Sequence, residues 1–271
     1  MKTRDDLSMV YTPGVARVCE AIRADPAKQW TLTVKRHTVA VVTDGSAVLG
    51  LGDIGPAAAQ PVMEGKCMIF KAFGELDAFP LCLAVNAPDA IVAAVQAIAP
   101  VFGGINLEDI AAPKCFEIED RLRACLDIPV MHDDQHGTAI VVLAALRNAL
   151  RLIGKSLAET KIVIADIGAA GVATAVMLKQ AGAGHIVACD RAGALYEGRF
   201  ENMNPVKREL AAMTNEARER GSRSTVLIGA DVFIGVSGPS VVTARACTAC
   251  GPAPLPPARR RVSRWPYARG F

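Results

Sequence analysis

The stretch from Lys161 to Asp190 constrains the fold more than any other. An apolar run, Ile162-Val163-Ile164-Ala165, leads into Asp166-Ile167-Gly168-Ala169-Ala170-Gly171 and an alanine-rich segment over 172–181. After Gly182 and Gly184, a second apolar run at 186–189 ends in Asp190. Strand, glycine turn, helix and strand make a β-α-β unit, because two parallel strands can only be joined through such a crossover. The turn opens a helix whose first N–H groups and partial positive charge suit a pyrophosphate. An acid closing the second strand suits the hydroxyls of an adenine ribose and repels a 2′-phosphate. Gly168, Ala169, Ala170, Gly171 and Asp190 are therefore expected to bind a dinucleotide, NAD ahead of NADP. Arg191 is the neighbour that would favour NADP, and an ordinary βαβ turn is the bland alternative. The chain also carries a perfect G-x-G-x-x-G at Gly50, Gly52 and Gly55. Pro56 and an alanine run follow it, and no strand closed by an acid comes at the expected distance, so it is set aside.

Two acidic pairs follow strand-like runs in the first half. Pro100–Ile105 leads to Asn106-Leu107-Glu108-Asp109, and Ile128–Met131 leads to His132-Asp133-Asp134-Gln135-His136-Gly137. Strands alternate with helical stretches here, expected at 13–24, 60–73 and 88–99, which argues for a parallel α/β layer; further helices are expected over 138–152 and 202–219. In such sheets the ligand crevice lies beyond the carboxyl ends of the strands, so four carboxylates would meet at one edge. Crowded carboxylates repel unless a cation joins them, and an all-oxygen set suits Mg²⁺ or Mn²⁺. The other reading is that these acids only cap turns or helices. His132 and His136 are read as structural.

Further motifs join these: Leu7-Ser8-Met9-Val10-Tyr11-Thr12-Pro13-Gly14, the glycine segment Leu49–Pro56, and Pro61-Val62-Met63-Glu64-Gly65-Lys66. In this order the set resembles the malic enzymes of the short bacterial type, from Asp6 to Val242. The resemblance implies an N-terminal α/β substrate and metal domain over 1–136. An NAD-binding Rossmann domain over 137–243, incomplete, would follow. It implies oxidative decarboxylation of L-malate to pyruvate and CO₂ with NAD or NADP, in a homodimer. Carried onto this chain, Lys66 would be the base, Tyr11 the acid, and Asp133 a carboxylate that positions Lys66. Glu108, Asp109 and Asp134 would be the metal ligands. The family has glycine where this chain has Asp166, a carboxylate that would face the pyrophosphate. Amino-acid and one-carbon dehydrogenases share a two-domain scaffold but give no reason for the acidic quartet.

Composition narrows the rest. The 271 residues, 51% hydrophobic, can bury ample core. The start has no apolar signal segment, and apolar stretches such as 91–105 and 140–152 are interrupted by Gln96, Pro100, Arg147 or Arg151. A cytoplasmic protein without membrane attachment is expected, its eight cysteines reduced. Cys247 and Cys250 have no second pair to complete a zinc site. The net charge of +3 includes six arginines in 243–271 and no acid there, so the body carries −3. That gives no basic face for nucleic acid. Residues 244–271, rich in Pro, Arg, Ala and Cys, show neither helical nor strand periodicity and are expected to stay unfolded. Their composition is that of a GC-rich gene read out of frame, which points to a frameshift near codon 243. The rival function is accordingly a catalytically impaired remnant that keeps metal or nucleotide binding.

Overall fold

The computed structural model describes residues 2–48 and 50–236. The tail expected to be unfolded, its cysteine pair and the end of the expected Rossmann domain lie outside the described residues. Helices α1 (Arg4–Val10), α2 (Val15–Ala24) and α3 (Gln29–Leu32) precede strand β1 (Thr38–Thr43). Then come α4 (Gly55–Gly74), β2 (Asp77–Cys82), α5 (Pro88–Ile98), β3 (Gly104–Leu107), α6 (Lys114–Cys125) and β4 (Val130–His132). The remaining helices are α7 (Asp133–Ile153), α8 (Ala169–Gln180), α9 (Pro205–Met213) and α10 (Arg223–Val226). The remaining strands are β5 (Lys161–Ala165), β6 (His185–Asp190), β7 (Gly193–Ala194) and β8 (Val232–Gly235).

The chain forms two compact units, each built around one four-stranded sheet. The first sheet has the order β2-β1-β3-β4, with β1 parallel to both β2 and β3. A central parallel strand is covered on both faces, so it reads as an unbroken apolar run. Ala40, Val41 and Val42 of β1 are fully buried, as are Ala59 and Met63 of α4 and Ile91 and Val95 of α5.

The second sheet has the order β7-β6-β5-β8. β5 is parallel to β6 and β8, and β7 runs antiparallel at the edge. Alternate residues of its central strands serve two cores, because successive side chains point to opposite faces. Ile162, Ile164, Ile186 and Ala188 pack with Leu146 and Leu150 of α7 and Leu178 of α8. Val163, Val187 and Cys189 pack on the other face with Val226 and Leu227. Burying each Val, Leu or Ile side chain here stabilises by about 1.5–3 kcal/mol. By length and composition alone α7 could cross a membrane, yet its Leu146 and Leu150 sit in this core.

Three elements depart from the sequence reading. α6 was not anticipated, because acids and arginines dilute its few apolar positions, among them the buried Ile118 and Leu122. α7 begins at Asp133, not near Thr138. Asp133 and Asp134 form its first turn, where the helix end favours negative charge, and Gly137 is interior to the helix. The helix expected over 202–219 ends at Met213. There Asn215 adopts φ +51° and donates from its amide to Leu195 O and Glu219 O, folding the segment back.

Candidate functional site

The glycine turn has the geometry of a phosphate cradle. β5 ends at Ala165, Asp166 takes φ +62°, and Gly168 caps the start of α8. A Cβ on Gly171 would lie 2.1 Å from the carbonyl oxygen of Asp166, so helix and strand approach closely only because this residue is glycine. A Cβ on Gly168 would meet nothing within 4 Å, so the turn is open on that side. Gly168 and Ile167 line a cavity of about 210 Å³ together with Val172, Asn204 and Lys207. These residues fit a dinucleotide: open glycine backbone, α8 pointing its N-terminus at the turn, and an acid closing β6. Asp166 is the departure. Its left-handed backbone is a position that favours glycine, and Arg223 Nη1 lies 3.7 Å from its Oδ2.

Asp190 ends β6 as expected, only 7% exposed. Its carboxylate, however, is fully engaged by the chain. Oδ1 accepts from the Ala192 N–H at 2.9 Å and from Arg199 Nη2 at 2.9 Å. Oδ2 accepts from Arg199 Nη2 at 3.1 Å and from Lys207 Nζ at 2.7 Å. Burial pushes this carboxyl up, but the Lys207 and Arg199 bonds outweigh it and hold the group below the usual carboxylate range. Beside it, burial pushes the Cys189 thiol up to about 12, so that sulfur is an inert core group. Sequence reasoning missed Arg199 and Lys207, which stand well downstream in polar sequence, Lys207 in the first turn of α9.

The acidic residues converge as their strand ends imply. Glu108, Asp109 and Asp134 each offer a carboxylate oxygen, and these oxygens lie within 4.8 Å of one another. Glu108 follows β3, its N–H donating to Val42 O at 2.9 Å. Asn106 Nδ2 donates to its Oε2 at 2.9 Å, and Lys66 Nζ on α4 lies 3.2 Å from its Oε1. Asp109 takes φ +53°, and its N–H donates to Asp134 Oδ2 at 2.9 Å. The fully buried His132 brings Nε2 within 3.3 Å of the same Oδ2, a supporting role. Glu108 and Asp109 are buried to 5% and 3% exposure. Two buried acids beside a third are costly without positive charge, and the all-oxygen donor set fits Mg²⁺ or Mn²⁺.

Asp133 lies in the first turn of α7, half-buried, directly before Asp134. Tyr11 caps the end of α1 and is 67% exposed. Among the expected proton-transfer residues, Lys66 contacts the acidic set through Glu108. Gly50, Gly52 and Gly55 all take positive φ, a succession of turns leading to α4. β1 ends at Thr43, seven residues before Gly50, and the first helix residue is itself Gly55, so this G-x-G-x-x-G is not the tight strand-to-helix turn that a pyrophosphate needs.

Residues 1–123 match the malic enzyme N-terminal domain and residues 135–247 the malic enzyme NAD binding domain. The NAD-dependent malic enzyme of Geobacillus stearothermophilus is 59% identical over 242 residues, covering 89% of this chain and 50% of that protein. The bifunctional malic/malolactic enzyme of Bacillus subtilis is 54% identical, covering 90% of this chain and 59% of that protein. The crystal structure of the NAD-dependent malic enzyme from Thermotoga maritima superposes with a TM-score of 0.90 at 49% identity. It covers 93% of this chain and 67% of that one. The chain spans between half and two thirds of the length of these relatives.

Proposed function

We propose that this chain, which belongs to the malic enzyme family, carries out metal-dependent oxidative decarboxylation of L-malate to pyruvate and CO₂ with NAD. The observation that carries this reading is the Glu108–Asp109–Asp134 set, its first two acids buried, with Lys66 on its edge, in a chain that also holds a dinucleotide turn. A bound Mg²⁺ or Mn²⁺ would polarise the substrate's hydroxyl and carboxylate oxygens, and NAD would accept hydride from C2. Glu108, Asp109 and Asp134 would hold the metal. Lys66, held by Glu108 at 3.2 Å, would accept the proton of the C2 hydroxyl, with Asp133 helping to position it. When the C3–C4 bond breaks and CO₂ leaves, the electron pair stays at C3, and Tyr11 would deliver the proton there. The same reading places the chain in the cytoplasm as a homodimer acting on a small-molecule substrate, with residues 1–136 and 137–243 as its domains.

A second reading rests on Asp166. Its carboxylate at the first position of the turn, in left-handed backbone, disfavours an anionic pyrophosphate, giving a catalytically impaired remnant that keeps metal or nucleotide binding. The deciding assay is NADH formation from L-malate with Mn²⁺ against an EDTA control. EDTA-sensitive NADH formation supports the first reading. Binding of Mn²⁺ or NAD without turnover supports the second, and binding of neither overturns both.

Two variants probe the parts. Asp109→Asn keeps a side chain that tolerates φ +53° but removes one anionic ligand. Calorimetric Mn²⁺ affinity should fall about tenfold or more; unchanged affinity would remove Asp109 from the ligand set. Asp166→Gly should raise stability by about 1 kcal/mol by relieving the left-handed residue and should tighten NAD binding. Unchanged NAD affinity would mean that this carboxylate points away from the cofactor.

A further inference from the structure

The glycine turn carries a charge that a phosphate cradle is better without, and a distant segment of the chain answers it. Asp166 directly follows β5, in left-handed backbone. β5 lies between β6 and β8, so its end is where the strand order turns, the place at which open α/β sheets take their ligand. A carboxylate here stands beside the phosphate position at the start of α8. At the effective dielectric of a protein surface, two like charges about 7 Å apart repel enough to cost more than tenfold in affinity.

Arg223 opens α10, far downstream. Its Nη1 lies 3.7 Å from Asp166 Oδ2, and the two side chains are 24% and 26% exposed. Several features fix the arginine there. The Ser222 hydroxyl caps α10 by accepting from the Thr225 N–H. The preceding Gly221 is pinned to β7, its carbonyl accepting from the Ala194 N–H at 3.0 Å. Behind it, Val226 and Leu227 are buried with Val163 and Val187. Burial raises the Cys189 thiol, and the Arg223 charge opposes that rise, so the guanidinium reaches the end of β6 as well as that of β5. Arg199 and Lys207 are committed to Asp190, which leaves Arg223 as a separate charge beside the turn.

We propose that Arg223 is a positioning residue for the dinucleotide turn. It holds the Asp166 carboxylate toward α10 and offsets its charge, so that the turn accepts a pyrophosphate although its first position is an acid. This role rests on the nucleotide-site reading above. Arg223 acts on the cofactor through Asp166, and the acid is tolerated only in company with the arginine.

The test is a double-mutant cycle, which isolates the coupling between two residues. The full chain, Asp166→Gly, Arg223→Gln and the double variant are titrated calorimetrically with ADP, which carries a pyrophosphate and no nicotinamide. Arg223→Gln should weaken ADP at least tenfold in the wild-type background and at most threefold in the Asp166→Gly background. Arg223→Lys should recover most of the loss. The double variant, lacking both charges, should bind ADP at least as tightly as the wild type, which separates a loss of charge balance from a loss of fold. Equal losses in the two backgrounds overturn the inference, as does an Arg223→Gln variant that binds ADP like the wild type. ADP binding by Asp166→Gly but not by the wild type also overturns it, since Arg223 then fails to offset the acid. Failure of ADP to bind either of those two proteins overturns the nucleotide-site reading itself, and this inference with it.

Discussion

Lys66→Met should lower malate-dependent NADH formation by about 10²–10⁴-fold, the usual contribution of a positioned proton acceptor. The same variant should bind Mn²⁺ at least as tightly as the wild type. Lys66 Nζ sits 3.2 Å from Glu108 Oε1, so it competes with a cation for that carboxylate, and its removal relieves the competition. The two readouts separate the roles. If Lys66 were only the counter-ion of a buried acid, its loss would leave Glu108 uncompensated and weaken the fold. Metal would then rescue stability and turnover together. A variant that binds Mn²⁺ normally yet retains most of its turnover would strip Lys66 of the role of base.

Gly171→Ala should cost about 3 kcal/mol of stability or more, since overpacking here meets backbone and not a movable side chain. The added Cβ would stand 2.1 Å from Asp166 O and 3.1 Å from its carbonyl carbon. Neither can rotate away without pulling the β5–α8 connection apart. Gly168→Ala is the matched control, with nothing within 4 Å of the new methyl and extended backbone at that residue. Urea unfolding should therefore show a large drop in midpoint for the first variant and little change for the second. NAD binding should suffer in both, because the control methyl fills the open side of the turn. Equal midpoints for the two would mean that strand and helix are less closely packed at this turn than described.

Much of this was legible in the residues. The β5–α8–β6 unit announced itself because strand, turn and helix signals agree over one contiguous stretch, and local agreement is what sequence reports best. The acidic strand ends were legible for the same reason: apolar runs close at Ile105 and Met131, and the first acid of each pair follows within three residues. Partners distant in sequence were not. Nothing around Arg199 or Lys207 says that both reach Asp190, because that depends on β7 turning back antiparallel and α9 folding over. The start of α7 was misplaced because Gly137 looks like a stop, whereas a helix held by tertiary packing tolerates a glycine.

The left-handed backbone at Asp109 bears on how this site can change by mutation. At φ +53° glycine, asparagine and aspartate are the residues that fit at little cost, and β-branched side chains are effectively barred. Of those three, only aspartate brings a negative oxygen. The position is thus filtered twice, first by backbone shape and then by charge. In a saturation library sorted for folding, asparagine and glycine should survive at this position beside aspartate; sorted for metal binding, aspartate alone. Glutamate, the nearest chemical substitute, should fail the first sort and never reach the second.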